Sequence, residues 1–330
     1  MSFTHRPVPA VRHLRILPLA IALALAVLPA SAAVPNIGSR GEDLLTIDNG
    51  TLKIGIDRLK GAAITWLSSA DHPQNLINSA DPGRLIQQSY YAGLRLDRRA
   101  DGQSKAWSPW SWNPIQGGGV ASWARVNAFQ RLDPATLYGE TVPKLWDMPD
   151  EEAAALMRQW TGFEAGMPNV AVVRCEFVAQ RTVPDRWGPA KLSPQEIPAC
   201  YFTRNFSAVK SYLGGGQWRD ETQPPGPPWG RTRPPQNAMA LFAAGGAGVA
   251  VFSPAATQEW NFGPHGAAGT DSPTAGPCMH VAPIARVNLG PRSTYRYRYW
   301  LVVGTAAQIA ARLDTLLANY SGERAELTNP

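Results

Sequence analysis

From residue 44 onward the chain is written mostly in period two, apolar and polar positions alternating as strands require. Leu44-Leu-Thr-Ile-Asp48 and Thr51-Leu-Lys-Ile-Gly-Ile-Asp57 flank Asn49-Gly50, a type I′ turn signal, and predict a β-hairpin. Gly61 to Leu67 predicts a third strand. Leu85 to Leu94 and Gly119 to Leu132 continue the pattern on either side of a tryptophan-rich loop. Asn169 to Gln180 reads as a long strand with Ala171, Val173, Cys175, Phe177 and Ala179 on its buried face. Ala238 to Ala244 and Gly248 to Ser253 predict a second hairpin turning at Gly245-Gly246. Tyr295 to Val303 sets aromatics against arginines, a strand with one solvated face.

Helix is predicted in two places. Asp150 to Thr161 holds good helix formers behind two acids, although a strand pair competes with that reading. Ala306 to Leu317 is apolar at Ile309, Ala310, Leu313, Leu316 and Leu317, a helical spacing. Gly214 to Pro235 is too dense in proline for a regular element and reads as an ordered surface loop; Gly263 to Pro277 is again rich in glycine and proline. Evenly spaced strands, little helix before Ala306 and no linker predict an all-β fold: one large antiparallel β-sandwich over residues 33–330, with a short C-terminal helix.

The first 32 residues break the pattern. Arg6, Arg12 and Arg15 precede an apolar run from Leu14 to Leu28 and an Ala30-Ser31-Ala32 cleavage site, which together predict a signal peptide and a periplasmic or secreted protein. The run is short for a span and no second one follows, so the mature chain is expected to have no membrane span. Its removal lowers the formal net charge from +6 to about +3, which makes no case for nucleic acid. Cys175, Cys200 and Cys278 allow one disulfide at most, and Cys175 with Cys200 is the expected pair if one forms. With no Cys/His metal spacing and three histidines after processing, neither a metal nor a cofactor is expected.

Two pieces carry polar and aromatic side chains that a plain core would not use. One is Asn75 to Gly93, with Arg84, Gln87, Gln88, Tyr90 and Tyr91; the other is Trp107 to Gly119, with Trp107, Trp110, Trp112, Asn113 and Gln116 before a triple glycine. Aromatic faces stack on the C–H surfaces of sugars while guanidinium and amide groups bond hydroxyls, so an oligo- or polysaccharide is the expected partner. Alternation separates Arg84, Gln88 and Tyr90 from Gln87, Ser89 and Tyr91, and the first set is favoured for the cleft. In the bland alternative Asp81 and Arg84 merely close a turn and the indoles plug the loop from beneath.

The opening Asp48-Asn49-Gly50 hairpin, Gly61-Ala-Ala-Ile-Thr-Trp66, the Asn75-to-Gly93 segment and the Trp112-to-Gly118 segment resemble exported β-supersandwich proteins of the galactose mutarotase-like family. That likeness implies the fold shared by sugar epimerases, glycoside hydrolases and polysaccharide lyases. Mutarotases of this fold use a His and Glu pair; no stretch here matches their motif, and neither role carries over.

For proton transfer the chain offers His72, His265 and His280 with Glu140, Glu164, Glu176, Glu196 and Glu259. The cluster Glu259-Trp260-Asn261 followed by His265 places a carboxylate, an indole, an amide and an imidazole within seven residues, and suits acid–base chemistry beside a sugar carbon. The candidate catalytic residues are therefore His265, Tyr90 and Glu259; the candidate substrate-binding residues are Arg84, Gln88, Trp110, Trp112, Asn113, Gln116 and Trp260. The expected function is a glycan-cleaving or sugar-modifying enzyme, lyase or hydrolase, against a non-catalytic binding or structural envelope protein.

Overall fold

The computed structural model describes residues 43–79, 82–120, 122–266 and 278–329. The expected signal peptide, Asp81 and most of the Gly263-to-Pro277 stretch lie outside them. Two large antiparallel sheets dominate. In the ten-stranded sheet the order runs from Arg125–Asp133 through Thr136–Val142, Ala155–Phe163, Val170–Ala179 and Thr294–Gly304 to Gly248–Phe252, Ala238–Phe242, Ala208–Gly214 and Gln217–Asp220. Glu326–Thr328 adds to Thr294–Gly304 off this path. The eight-stranded sheet runs Lys144–Leu145, Pro114–Ile115, Gln87–Ser89, Lys191–Thr203, Cys278–Ala282, Trp260–His265 and Gly230–Thr232, with Ile284–Leu289 beside Lys191–Thr203.

The core lies between the inward faces of these sheets. Phe177, Tyr295, Tyr297, Tyr299 and Leu301 come from one; Ile197, Phe202, Trp260, Phe262 and Val281 come from the other. Each such side chain contributes about 1.5–3 kcal/mol through removal of its apolar surface from water, which is why period two is so strictly kept here. Leu44–Asp48, Leu52–Asp57 and Ala63–Ser69 form a separate three-stranded sheet whose Ile47, Ile54 and Ile64 join the same core. No helix among the described residues is long and apolar enough to cross a membrane.

The architecture is the antiparallel β-sandwich with a C-terminal helix that the pattern predicts, and several details differ. Asp150 to Thr161 is not helical: Ala155–Phe163 is a strand inside the ten-stranded sheet. Ala155, Met157, Gln159 and Thr161 are buried in alternation with Leu156, Arg158 and Trp160, and that burial outweighs helix propensity. The first hairpin does not close with a type I′ turn, since Gly50 alone takes positive φ; the Asn49 side chain instead accepts from the amides of Thr51 and Leu52. Cys175 and Cys200 sit in opposite sheets, and all three cysteines are buried thiols outside any disulfide. The proline-dense loop contains two short strands, Gln217–Asp220 and Gly230–Thr232.

The Ala306–Tyr320 helix begins at a capping box: Thr305 accepts from the Gln308 amide and Gln308 answers to the Thr305 amide. Ile309, Ala310, Leu313 and Leu316 then cover Phe242, Phe252, Trp300 and Val302 on the outer face of the ten-stranded sheet.

Candidate functional site

The face of the eight-stranded sheet turned away from the core holds a cleft of about 780 Å³. Strand alternation builds its floor. In Lys191–Thr203 the side chains of Ile197, Cys200 and Phe202 enter the core while Pro194, Glu196, Ala199 and Tyr201 face the cleft, a register shift between Glu196 and Ala199 absorbing the extra residue. In Trp260–His265, Trp260 and Phe262 go inward and Asn261 and His265 outward. Cys278–Ala282 sends Met279 and Val281 inward and His280 to the other side.

A chain of close contacts runs along one wall. Trp146 meets Trp107 edge-on at 5.7 Å, Trp107 meets Trp110 at 5.1 Å, and Trp110 meets Tyr91 at 6.2 Å. The Tyr91 hydroxyl donates to Glu196 Oε2 at 3.4 Å, and Glu196 Oε1 lies 3.5 Å from His280 Nε2. His280 is sandwiched between Tyr201 and Trp229, each 4.4 Å away, and Trp229 continues to His265 at 5.8 Å. A carboxylate, a phenol and an imidazole thus sit between two aromatic platforms.

The protonation logic of this centre follows from its partners. His280 Nδ1 is 3.2 Å from the Cys200 carbonyl, which can only accept, so Nδ1 carries a proton. Nε2 faces the Glu196 carboxylate at 3.5 Å without forming a hydrogen bond to it. His280 is fully buried and Glu196 opens onto the cleft, so the carboxylate is the member of the pair that ligand reaches. Burial and the Glu196 charge push the Tyr91 hydroxyl well above the usual phenol range. Tyr91 is therefore a donor, not a base.

Arg84, Arg95 and Lys191 bring positive charge to the wall, where Glu196 is the one carboxylate among the described residues. Arg95 lies over the Trp110 ring at 5.4 Å and donates to the Pro109 carbonyl, which fixes the indole as a platform. At the floor, the Gln87 side-chain amide donates to the Pro82 carbonyl at 2.8 Å and accepts from the Gly117 amide at 2.7 Å, joining the two sequence pieces. Gly61, at φ +65, packs so tightly under them that an added Cβ would stand 2.0 Å from the Gln116 carbonyl. Among the described residues no cluster of three His, Cys, Asp or Glu side chains has the spacing to hold a metal ion.

Of the residues singled out in the sequence, Arg84, Trp110, Asn113 and His265 lie on the cleft wall together with Trp107. Asn113 is mostly spent on structure: it accepts from Trp110 Nε1 and donates to the Tyr90 carbonyl. Gln88, Tyr90, Trp112, Gln116 and Trp260 are in the interior. Tyr90 stacks on Phe177 at 4.1 Å and donates to Gln88 Oε1, Trp112 lies under the Arg181 guanidinium, and Gln116 Oε1 accepts from the Gln88 amide. Glu259 is exposed just before its strand begins and is not on the wall.

The strand face turned to the cleft is the opposite of the one expected. Arg84 precedes the regular strand, which starts at Gln87, so its side chain does not share the phase of Gln88 and Tyr90; Gln87, Ser89 and Tyr91 face the cleft. Glu196, His280, Tyr201, Trp146 and Trp229 were not selected. The available signal is Glu196 itself, a lone carboxylate directly preceding the apolar run Ile197 to Phe202.

No protein-family profile and no curated protein matches the chain. Solved structures do resemble it. A galactose mutarotase-like protein from Clostridium acetobutylicum is 9% identical with a TM-score of 0.44, covering 80% of this chain and 100% of its own. A protein from Synechocystis is 11% identical with a TM-score of 0.43, covering 82% and 100%. The heparan sulfate lyase of Pedobacter heparinus is 9% identical with a TM-score of 0.41; 82% of this chain matches 37% of that one. At such similarity neither activity nor substrate carries across.

Proposed function

We propose that the protein is an exported carbohydrate-active enzyme that cleaves or modifies a glycan bound along the cleft. The observation that carries this reading is the position of Glu196. It is held between the Tyr91 hydroxyl and His280, with indole platforms on both sides. Sugar rings stack on Trp107 and Trp110 at one end and reach Trp229 at the other, so the reacting unit lies over the carboxylate. Glu196 exchanges the proton at the sugar carbon or ring oxygen. Tyr91 donates a hydrogen bond, and His280 is a positioning residue beside the carboxylate.

A single carboxylate among the described wall residues favours elimination or epimerisation over hydrolysis, which places two carboxylates across the scissile bond. Arg84, Arg95 and Lys191 suit a sugar bearing an acidic group, whose charge they neutralise as a proton leaves the adjacent carbon. Glycan-array binding, followed by reducing-end and unsaturated-product assays on each hit, tests the reading. Glu196→Gln is expected to keep binding and lose turnover. Full turnover by that variant, or glycan binding by the wild type with no product from any hit, would refute enzymatic function at this centre.

A further inference from the structure

The outer face of the ten-stranded sheet is only half covered. The Ala306–Tyr320 helix lies against Thr294–Gly304, Gly248–Phe252 and Ala208–Gly214; on the side towards Arg125–Asp133, two rows of side chains cross the strands in the open. One row is Glu140, Arg158, Glu176, Arg296 and Glu326, alternating in sign at every strand. Arg158 bonds Glu140 at 2.7 Å and Glu176 at 2.6 Å, and Arg296 bonds Glu176 at 2.6 Å. This row satisfies itself.

The adjoining row is Tyr138, Trp160, Arg174 and Arg298. Two guanidinium groups on directly opposed residues repel unless something compensates them. Arg298 is compensated: it pairs with Glu323 and lies over the rings of Trp300 and Tyr320, 5.2 Å from each. Arg174 is exposed and forms no ion pair among the described residues. Its other cross-strand neighbour, Trp160, is half-buried and packs on Tyr138 at 5.0 Å. Trp160 and Arg174 border a hollow of about 540 Å³ whose other charged lining residues are Arg296, Arg298 and Arg324 with Glu176, Glu323 and Glu326.

We propose that this row is a second carbohydrate-binding surface, taking an acidic sugar unit whose anionic group pairs with Arg174 and whose ring stacks on Trp160. A guanidinium fork matches a carboxylate or sulfate, and an indole matches the C–H face of a sugar. The interleaved Glu140, Glu176 and Glu326 repel a densely charged polyanion such as nucleic acid, which leaves a ligand with about one charge per unit. The surface lies on the opposite sheet from the cleft, and the inference does not rest on the cleft's reading.

The test uses full-length protein carrying Trp110→Ala, which weakens binding in the cleft, and Glu196→Gln, which stops turnover there. Calorimetric titration with hexagalacturonate, an iota-carrageenan hexasaccharide, which bears sulfates and no carboxylate at a similar charge per unit, and neutral maltohexaose reads the second surface and separates carboxylate from sulfate recognition. At least one acidic probe is expected to bind and maltohexaose to bind more weakly. Adding Arg174→Ala or Trp160→Ala lowers acidic-probe affinity by about tenfold or more, the loss of one charge-assisted or stacking contact. Trp160→Phe retains most of it, which guards against loss of fold. Absence of acidic-probe binding in the cleft-weakened protein, equal binding of maltohexaose, or affinity unchanged by Arg174→Ala overturns the proposal and leaves the Glu196 reading untouched.

Discussion

Asp57 offers a direct test of how burial is compensated in this fold. It ends the Leu52–Asp57 strand, is fully buried, and accepts from the Leu59 amide through Oδ1 at 2.9 Å, while Oδ2 has no hydrogen-bond partner. The nearby Lys60 is buried too and donates to Ser79, its own pKa lowered by burial. Burial outweighs the attraction of Lys60 and pushes the Asp57 carboxyl from the ordinary 3.8 up to about 6. That difference corresponds to about 3 kcal/mol of native-state cost carried by the ionised form. Because the folded pKa is the higher one, the native state binds the proton more tightly than the unfolded chain. The stabilising contribution of this group is complete below about pH 4 and disappears as pH rises through about 6. Asp57→Asn mimics the protonated form and keeps the Oδ1 acceptor. The variant should exceed the wild type by up to about 3 kcal/mol at about pH 7.5, on the order of 5 °C in Tm, and converge with it near about pH 4. Urea unfolding of both proteins across that range reads Asp57 together with its attraction to Lys60, the remaining titrating groups being common to the pair. Parallel curves, or an Asn variant less stable than the wild type at neutral pH, would refute the assignment.

Three further outcomes follow from the placement of side chains. Tyr91→Phe should abolish most turnover with little change in melting temperature, whereas Tyr90→Phe should cost about 1 kcal/mol of stability through its lost bond to Gln88 and leave turnover intact; paired kinetics and melts decide it. Trp110→Ala should weaken glycan binding by about tenfold or more with the fold preserved, while Trp112→Ala should cost about 3–5 kcal/mol of stability as a core truncation, read by denaturant unfolding. A thiol reagent should leave native Cys175, Cys200 and Cys278 unmodified and label all three once denaturant is added, because each is a buried thiol outside any disulfide; burial also pushes the Cys175 thiol up to about 12.

Much of the sandwich was legible because one-sided burial imposes period two. The Tyr295, Tyr297 and Tyr299 face and the Ala171 to Ala179 face are read from the chain alone, as is the helix from its Ile309, Leu313 and Leu316 stripe. Asp150 to Thr161 supports both helix and strand from the sequence because local propensity and tertiary burial disagree there, and burial of Met157 and Thr161 decides for the strand. At the cleft, the pairing of Arg84 with the Trp110 loop was readable from residue chemistry, but the strand face was not. Alternation separates Gln87 from Gln88 without saying which is inside, and extending the phase back across the irregular Pro82 to Leu85 segment picked the buried set. Glu196 and His280 are 84 residues apart in sequence and become neighbours only through the pairing of Lys191–Thr203 with Cys278–Ala282. Nothing local marks them as partners.

The glycine contact beneath the cleft has a consequence for how the protein can change. Gly61 presses on the Gln116 carbonyl, and an added Cβ at Gly117 would stand 2.6 Å from both Leu85 and the Pro82 carbonyl, so one extra methyl at either position pries the floor from its support. Trp107, Val120 and Leu192 at the lip are all exposed and bear no such load. Ligand preference in descendants of this chain is therefore free to drift through the lip, while the foundation admits no experiment.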